Sequence, residues 1–282
     1  MGRDAENFAD LPEWQAGCQF GSYVLVTEII SASRTAPFQA YHTIPLKSKK
    51  VKGKIKLFLV LTMFGSMLYS GMIADMKTAE LWKLVGGLSE PSKMPCYGYS
   101  IPAQACKVGS LLRKVKGSTC GSCYALKGNY MFPVVRKALE RRLAAIERPE
   151  WVEAMTTLID RKTRADNSYF RWHDAGDLQN AEHLAKIVQI AENLPHIRFW
   201  LPTRETAIVA EYLENACFPI NLTVRLSAPM VGRESKRLAG TVGSSVNNLA
   251  ASQCPAPQQE NACKDCRNCW DPNIVEVSYR KH

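Results

Sequence analysis

Ten cysteines, at positions 18, 96, 106, 120, 123, 217, 254, 263, 266 and 269, are the residues with the clearest capacity for chemistry in this chain. The densest set lies in "CPAPQQENACKDCRNCWD", where Cys254 is followed after eight residues by Cys263, and then by Cys266 and Cys269 at two-residue gaps. A Cys-x2-Cys unit lets two thiolates approach one inorganic centre from a tight turn, as in zinc ribbons and iron-sulfur loops. Three cysteines at this short repeat suit a cuboidal iron-sulfur cluster, and zinc is the alternative because four thiolates also fill its tetrahedral shell. The even, loop-stapling spacing of a small disulfide-rich domain is absent.

An upstream group, in "PCYGYSIPAQACKVGSLLRKVKGSTCGSCYA", has Cys106, a gap of thirteen residues, then Cys120, two residues and Cys123. Cys96, ten positions before Cys106, is a candidate fourth ligand for this group. Three thiolates leave one iron of a cluster open to substrate or cofactor, so this group reads as the chemical one. The four terminal cysteines complete a shell and read as a structural or electron-relaying site. Three-thiolate ligation followed by an α/β sheet is the logic of radical S-adenosylmethionine enzymes, whose open iron takes the amino and carboxylate groups of that cofactor. The chain resembles them only partly: their loop is Cys-x3-Cys-x2-Cys with an aromatic residue before the last Cys, whereas here the first gap is thirteen and Tyr124 follows Cys123.

Residues that must act together need elements to position them. Helical spacing of apolar residues predicts an amphipathic helix over about 133–146 and a second over 149–162, with Pro149 in its first turn. The period then changes. "SYFRWHDAGD" reads as a strand ending in a polar loop, "AEHLAKIVQIAENL" as a helix, "HIRFWLPT" as a strand, "RETAIVAEYLEN" as a helix and "FPINLTVRLSAPM" as a strand. That alternation predicts an α/β fold, a parallel sheet or partial (β/α) barrel with right-handed crossovers, carrying cysteine-rich metal-binding loops. The small-residue segment at 240–252 reads as a flexible loop or short strand.

In parallel α/β folds ligands sit beyond the carboxyl ends of the strands. The three strands end in His173, Asp174, Gly176 and Asp177, in Thr203, Arg204 and Glu205, and in Arg225 and Ser227. His173, Asp174, Asp177 and Arg204 are the candidate catalytic residues, and Tyr124, Gly176, Thr203, Arg225 and Ser227 the candidate cofactor-binding ones. "WHDAGD" places an imidazole and two carboxylates around a glycine that permits a tight turn. The arginines could pair with carboxylate or phosphate. The competing, purely structural reading makes Asp177 the N-cap of the helix near Asn180 and points Arg225 outward. His183 and His196 read as surface and loop histidines.

With 282 residues and 46% hydrophobic content the chain can fill a core, which excludes a wholly disordered chain. Lys and Arg outnumber Asp and Glu by 36 to 26, and the resulting +10 favours a phosphate-bearing partner, nucleic acid included. Residues 1–75 differ in character from the rest. Six lysines in "KSKKVKGKIK" run into the uncharged "LFLVLTMFGSMLYSGMIA" at 57–74, which resembles an anchor but falls short of the about 20 apolar residues a span requires. The expected organisation is a 1–75 extension, with Met76 an alternative start, and one α/β metal-binding domain over 76–282 with its cysteine cluster at 254–269.

The segments "CYALKGNYMFPVVRKALERR", "FRWHDAGDLQNAEHLAKIVQIAENLPHIRFWLPTRE" and "CPAPQQENACKDCRNCWD" together resemble the gene product 88 family of phages and mobile elements. The resemblance covers residues 94–282 and implies a prophage, plasmid or conjugative-element origin and a cytoplasmic location. It marks Cys106, Cys120, Cys123, Tyr124, His173, Asp174, Gly176, Asp177 and the terminal four cysteines, and it supplies no substrate. The functional expectation is an iron-sulfur protein with a 4Fe-4S cluster, a radical S-adenosylmethionine-like enzyme acting on a small molecule or nucleic acid. The alternative is a zinc-binding protein that contacts nucleic acid through Arg113, Lys114 and Lys116 without catalysis.

Overall fold

The structure is a computed structural model that describes residues 72–163 and 168–281. Most of the apolar segment at 57–74, and the extension before it, lie outside the described residues; among those residues no helix is long and apolar enough to cross a membrane.

From Ile73 onward the chain forms one compact unit. It is a mixed α/β fold around a seven-stranded sheet in which every strand pair is parallel. After helix α1 (Thr78–Leu84) come β1 (Gly98–Tyr99), α2 (Lys107–Leu112), α3 (Pro133–Ala145), α4 (Trp151–Lys162) and β2 (Tyr169–Trp172). Then follow α5 (Ala181–Asn193), β3 (Arg198–Thr203), α6 (Thr206–Leu213), β4 (Leu222–Ser227), β5 (Val242–Val246), β6 (Ser252–Gln253) and β7 (Glu276–Tyr279). The spatial order is β1-β2-β3-β4-β5-β7-β6, so only the last two strands depart from chain order.

The two-residue period of the strands explains how the layers separate. Phe170, Trp172, Phe199, Leu201, Leu222, Val224 and Leu226 alternate onto one face, where they pack with Leu158 and Ile159 of α4, Ile187 and Ile190 of α5 and Val209 of α6 in a single buried core. The intervening residues, among them Trp200 and Val277, face the other way. They form a smaller cluster with Cys96, Cys269 and Trp270, so the terminal cysteine loop covers the face opposite the helices.

The expected elements match the observed ones closely from α3 through β4. Pro133 occupies the first turn of α3, where its missing N–H costs nothing. Asn180 caps α5, its side chain accepting the His183 N–H at 2.7 Å. Of the two expectations for 240–252, the short strand holds in its first half: β5 is inserted between β4 and β7 and is almost wholly buried. Its small residues are required there. A Cβ on Gly243 would come within 2.1 Å of Ser235 Oγ and 2.9 Å of Glu276 Oε2.

Candidate active site

The upstream cysteines follow β1, and short bonds tie their loop across the ends of the next three strands. The hydroxyls of Tyr124 and Tyr130 donate to Asp174, to its backbone carbonyl and, at 2.8 Å, to its carboxylate. Val108 N–H donates to Glu205 Oε1 beyond β3 at 2.9 Å, and Thr119 N–H donates to the Pro229 carbonyl beyond β4 at 2.9 Å. These ties bring Cys106, Cys120 and Cys123 to the wall of a cavity of about 650 Å³, which Tyr124, His173, Asp174, Gly176, Asp177, Arg204 and Ser227 also line. Gly109 packs against this loop: a Cβ there would stand 3.0 Å from Cys106 Cβ and in ordinary contact with the Cys120 and Cys106 sulfurs, at 3.6 and 3.7 Å. Burial pushes the Cys106 thiol up to about 12 and raises that of Cys120 as well.

The loop after β2 has strained backbone at two cavity-lining positions. His173 has φ of +51° and Gly176 φ of +84°. Ile101 N–H donates to the Ala175 carbonyl at 3.0 Å, which brings the two chains so close that a Cβ on Gly176 would lie 2.3 Å from Ile101 Cγ1. Left-handed backbone at a buried, non-glycine residue costs energy and persists only where the surroundings enforce it. His173 is buried, with both ring nitrogens lacking a hydrogen-bond partner, and Asp174 Oδ1 is likewise buried without one. Burial, with His183 and Arg171 nearby, holds the His173 imidazole neutral, well below its ordinary range.

Asp177 has a different part. Its carboxylate accepts from Leu178 N–H (2.8 Å), Thr203 Oγ1 (2.5 Å) and Arg204 N–H (2.9 Å), clamping the end of β2 to the end of β3. It therefore does not cap α5, a task that falls to Asn180. Burial raises the Asp177 carboxyl to about 6 against the pull of those donors. Thr203, expected to touch a cofactor, is buried and does not line the cavity; it orients Asp177 and accepts the Glu205 N–H at 3.0 Å. Arg204 does reach the cavity, its Nε donating to Thr119 Oγ1 at 3.1 Å.

Arg225 is the largest correction among the expected ligand-binding residues. Its side chain is fully buried, and all five of its N–H groups donate to backbone carbonyls: Cys269, Gly243, Ile274, Asn268 and Asp271, at 2.7–3.0 Å. Four of those carbonyls belong to the 268–274 segment, so Arg225 anchors the terminal cysteine loop to the sheet and has no donor left for a ligand. Thr223 and Trp270 add to the anchor, through Thr223 Oγ1 to the Trp270 carbonyl (2.7 Å) and Trp270 Nε1 to the Phe170 carbonyl (2.9 Å).

Cys96 also changes group. It is buried in the apolar cluster that contains Cys269, Trp200 and Trp270, and its electrostatic neighbours are Arg171, Cys263, Arg267 and Cys269 rather than Cys106. Cys254, Cys263 and Cys266 are likewise electrostatic neighbours of one another. None of the terminal cysteines, nor Cys96, lines the cavity. All eight of these cysteines, upstream and terminal, carry free thiols. Among the described residues no three His, Cys, Asp or Glu side chains converge closely enough to hold a metal ion.

His183 is the residue that sequence reasoning missed. It is buried, and its ring stands edge-on to His173 at 5.3 Å between centroids. Burial, with Lys186 adding to it, lowers its pKa to about 3. The signal was available: His183 precedes Ile187 and Ile190 by four and seven residues, the spacing of the apolar face of α5.

Fold and site define an α/β protein whose parallel sheet carries, beyond its strand ends, a cavity walled by thiols and by polar groups from three successive strands. The model of the gene product 88 family matches residues 73–272, and the chain belongs to that family. No curated protein and no solved structure matches it.

Proposed function

We propose that the protein is an iron-sulfur enzyme of the radical S-adenosylmethionine-like kind, its cluster a 4Fe-4S centre held by Cys106, Cys120 and Cys123. The observation that carries this reading is the placement of three free thiols, from the loop directly after β1, on the wall of a cavity at the carboxyl ends of a parallel sheet. The nearly sequential strand order, with α4, α5 and α6 packed on one face, supports a partial (β/α) barrel with that loop at its mouth.

Cys106, Cys120 and Cys123, electrostatic neighbours on the cavity wall, would hold the cluster, with zinc the alternative centre for thiolates. A cuboidal cluster takes each thiolate on a separate iron. Held by Cys106, Cys120 and Cys123, such a cluster would supply the electron for cleavage of bound S-adenosylmethionine. The chain's own residues bind and orient around that chemistry. His173 and Asp174 Oδ1 offer hydrogen-bonding atoms with no partner among the described residues, Arg204 offers positive charge, and the Asp177–Thr203 clamp holds two strand ends in register.

Anaerobic purification followed by incubation with dithionite and S-adenosylmethionine tests the reading. The expected result is a brown protein that contains iron and sulfide and releases 5′-deoxyadenosine and methionine. A colourless protein carrying only zinc, or an iron-loaded one that leaves the cofactor intact, would refute it.

A further inference from the structure

The charge of the cavity is lopsided. Lys93, Arg113, Arg171, Arg204, Arg280 and Lys281 line it, against two carboxylates, Asp174 and Asp177. Asp177 accepts from three donors and Asp174 Oδ2 from Tyr130, while Asp174 neighbours Arg171 and Asp177 neighbours Arg204 electrostatically, so two acids face six cations. Among the described residues no ion pair joins any of the six cations to an acid. Arg171 is the sharpest case. Its guanidinium lies 4.3 Å from the centroid of the Trp200 ring, one N–H group points at Met94 Sδ at 3.4 Å, and its buried Nε has no partner. A cation placed this deep is costly unless anions offset it, and Asp174 is the carboxylate among its electrostatic neighbours, with no ion pair formed between them.

We infer that the cavity takes a nucleotide, a nucleoside carrying two or more phosphates, with Arg171 and Arg204 meeting the phosphates inside and Arg280 and Lys281 at the rim. Six cations exceed what a single carboxylate would need, and arginine forks match phosphate oxygens in pairs. The volume of about 650 Å³ lies within the range of small-ligand pockets. The half-exposed ring of Tyr124 offers a face for a base, and His173 and Asp174 Oδ1 offer hydrogen-bonding atoms for a base or ribose. This deepens the enzymatic reading by naming a substrate class for the same cavity, but it rests on the charge and shape of the cavity alone.

The test is calorimetric titration of the anaerobically purified protein with ATP, adenosine and a short oligothymidylate, with iron and sulfide measured on the same preparation. ATP is expected to bind more weakly as salt rises, and adenosine at least about tenfold more weakly than ATP. Arg171→Gln should weaken ATP by about tenfold and the double variant Arg280→Gln, Lys281→Gln by about threefold, the latter with an unchanged circular dichroism spectrum. Adenosine binding as tightly as ATP, ATP binding indifferent to the rim variant and to salt, or oligothymidylate binding without ATP binding would each overturn the inference. ATP binding by protein without iron would remove the cluster and leave the nucleotide site; iron-loaded protein that ignores ATP would do the reverse.

Discussion

The two cysteine regions share a Cys-x2-Cys signature and differ in how the fold holds them. The upstream loop is tied by scattered bonds to the ends of β2, β3 and β4, and its three thiols face a cavity. The terminal loop is held from beneath by one buried guanidinium and two further side-chain anchors, and its thiols, with Cys96, lie outside that cavity. Similar spacing thus serves two ends: a loop held at its edges can present ligands to an incoming molecule, and a loop packed over the sheet stabilises what it covers. Substitutions that separate anchoring from chemistry should therefore act differently in the two regions.

The largest effect is expected at Arg225. Arg225→Ala removes five donors from backbone carbonyls, of which those of Asn268 and Asp271 keep only a long backbone bond, and the loss should be on the order of 4 kcal/mol in denaturant unfolding. Arg225→Lys should recover little, because an ammonium offers three donors without the planar fork. Thiol-reagent labelling should then reach the terminal cysteines sooner than the upstream ones; equal labelling of both groups would erase the distinction. On the cavity side, Gly176→Ala combines a positive φ with a Cβ driven into Ile101, and about 3 kcal/mol should be lost. A smaller cost would mean that the β2 loop yields more readily than its packing indicates.

His183 gives a pH signature. Its pKa is about 3 in the folded protein, below the about 6.5 of an unfolded chain, so the unfolded state binds the extra proton. Its contribution to stability is complete above about pH 6.5 and is lost as pH falls from there towards 3, reaching about 2 kcal/mol at pH 5. Urea midpoints measured between pH 7 and pH 5 should fall less steeply in His183→Gln, whereas parallel slopes would show that other groups carry the acid sensitivity. The smallest effect is expected for Thr203→Val, which removes one of three donors to Asp177 and should cost about 1 kcal/mol. An unchanged melting temperature would place the clamp in the two backbone donors alone.

Much of this was legible in the chain. The α/β alternation from α3 to β4 rests on apolar periods of 3.6 and 2 that packing then confirms, and the polar strand ends followed from the general placement of ligands in parallel sheets. His173, Asp174, Gly176, Asp177, Arg204, Ser227 and Tyr124 do meet at one cavity with the upstream cysteines. What stayed hidden was contact between distant segments. Arg225 reads as a ligand-binding arginine until the carbonyls of 268–274, more than forty residues away, occupy its donors. Cys96 is nearer in sequence to Cys106 but packs with Cys269. β5 carries Val242 and Val246 around a Gly-Ser-Ser core, so its strand signal is weak, and Gly243 stands where Ser235 and Glu276 leave no room for a Cβ.

The central proposal is that the upstream cysteines, rather than the terminal ones, hold the chemical centre. Its most direct test is the iron and sulfide content, with S-adenosylmethionine cleavage, of the anaerobically purified protein beside a variant in which Cys106, Cys120 and Cys123 are all alanine. The account predicts that the variant stays folded, loses the iron and sulfide that these three cysteines hold, and loses cleavage entirely. Iron content unchanged in the variant, or cleavage that survives it, would contradict the assignment of the chemical centre to the loop after β1.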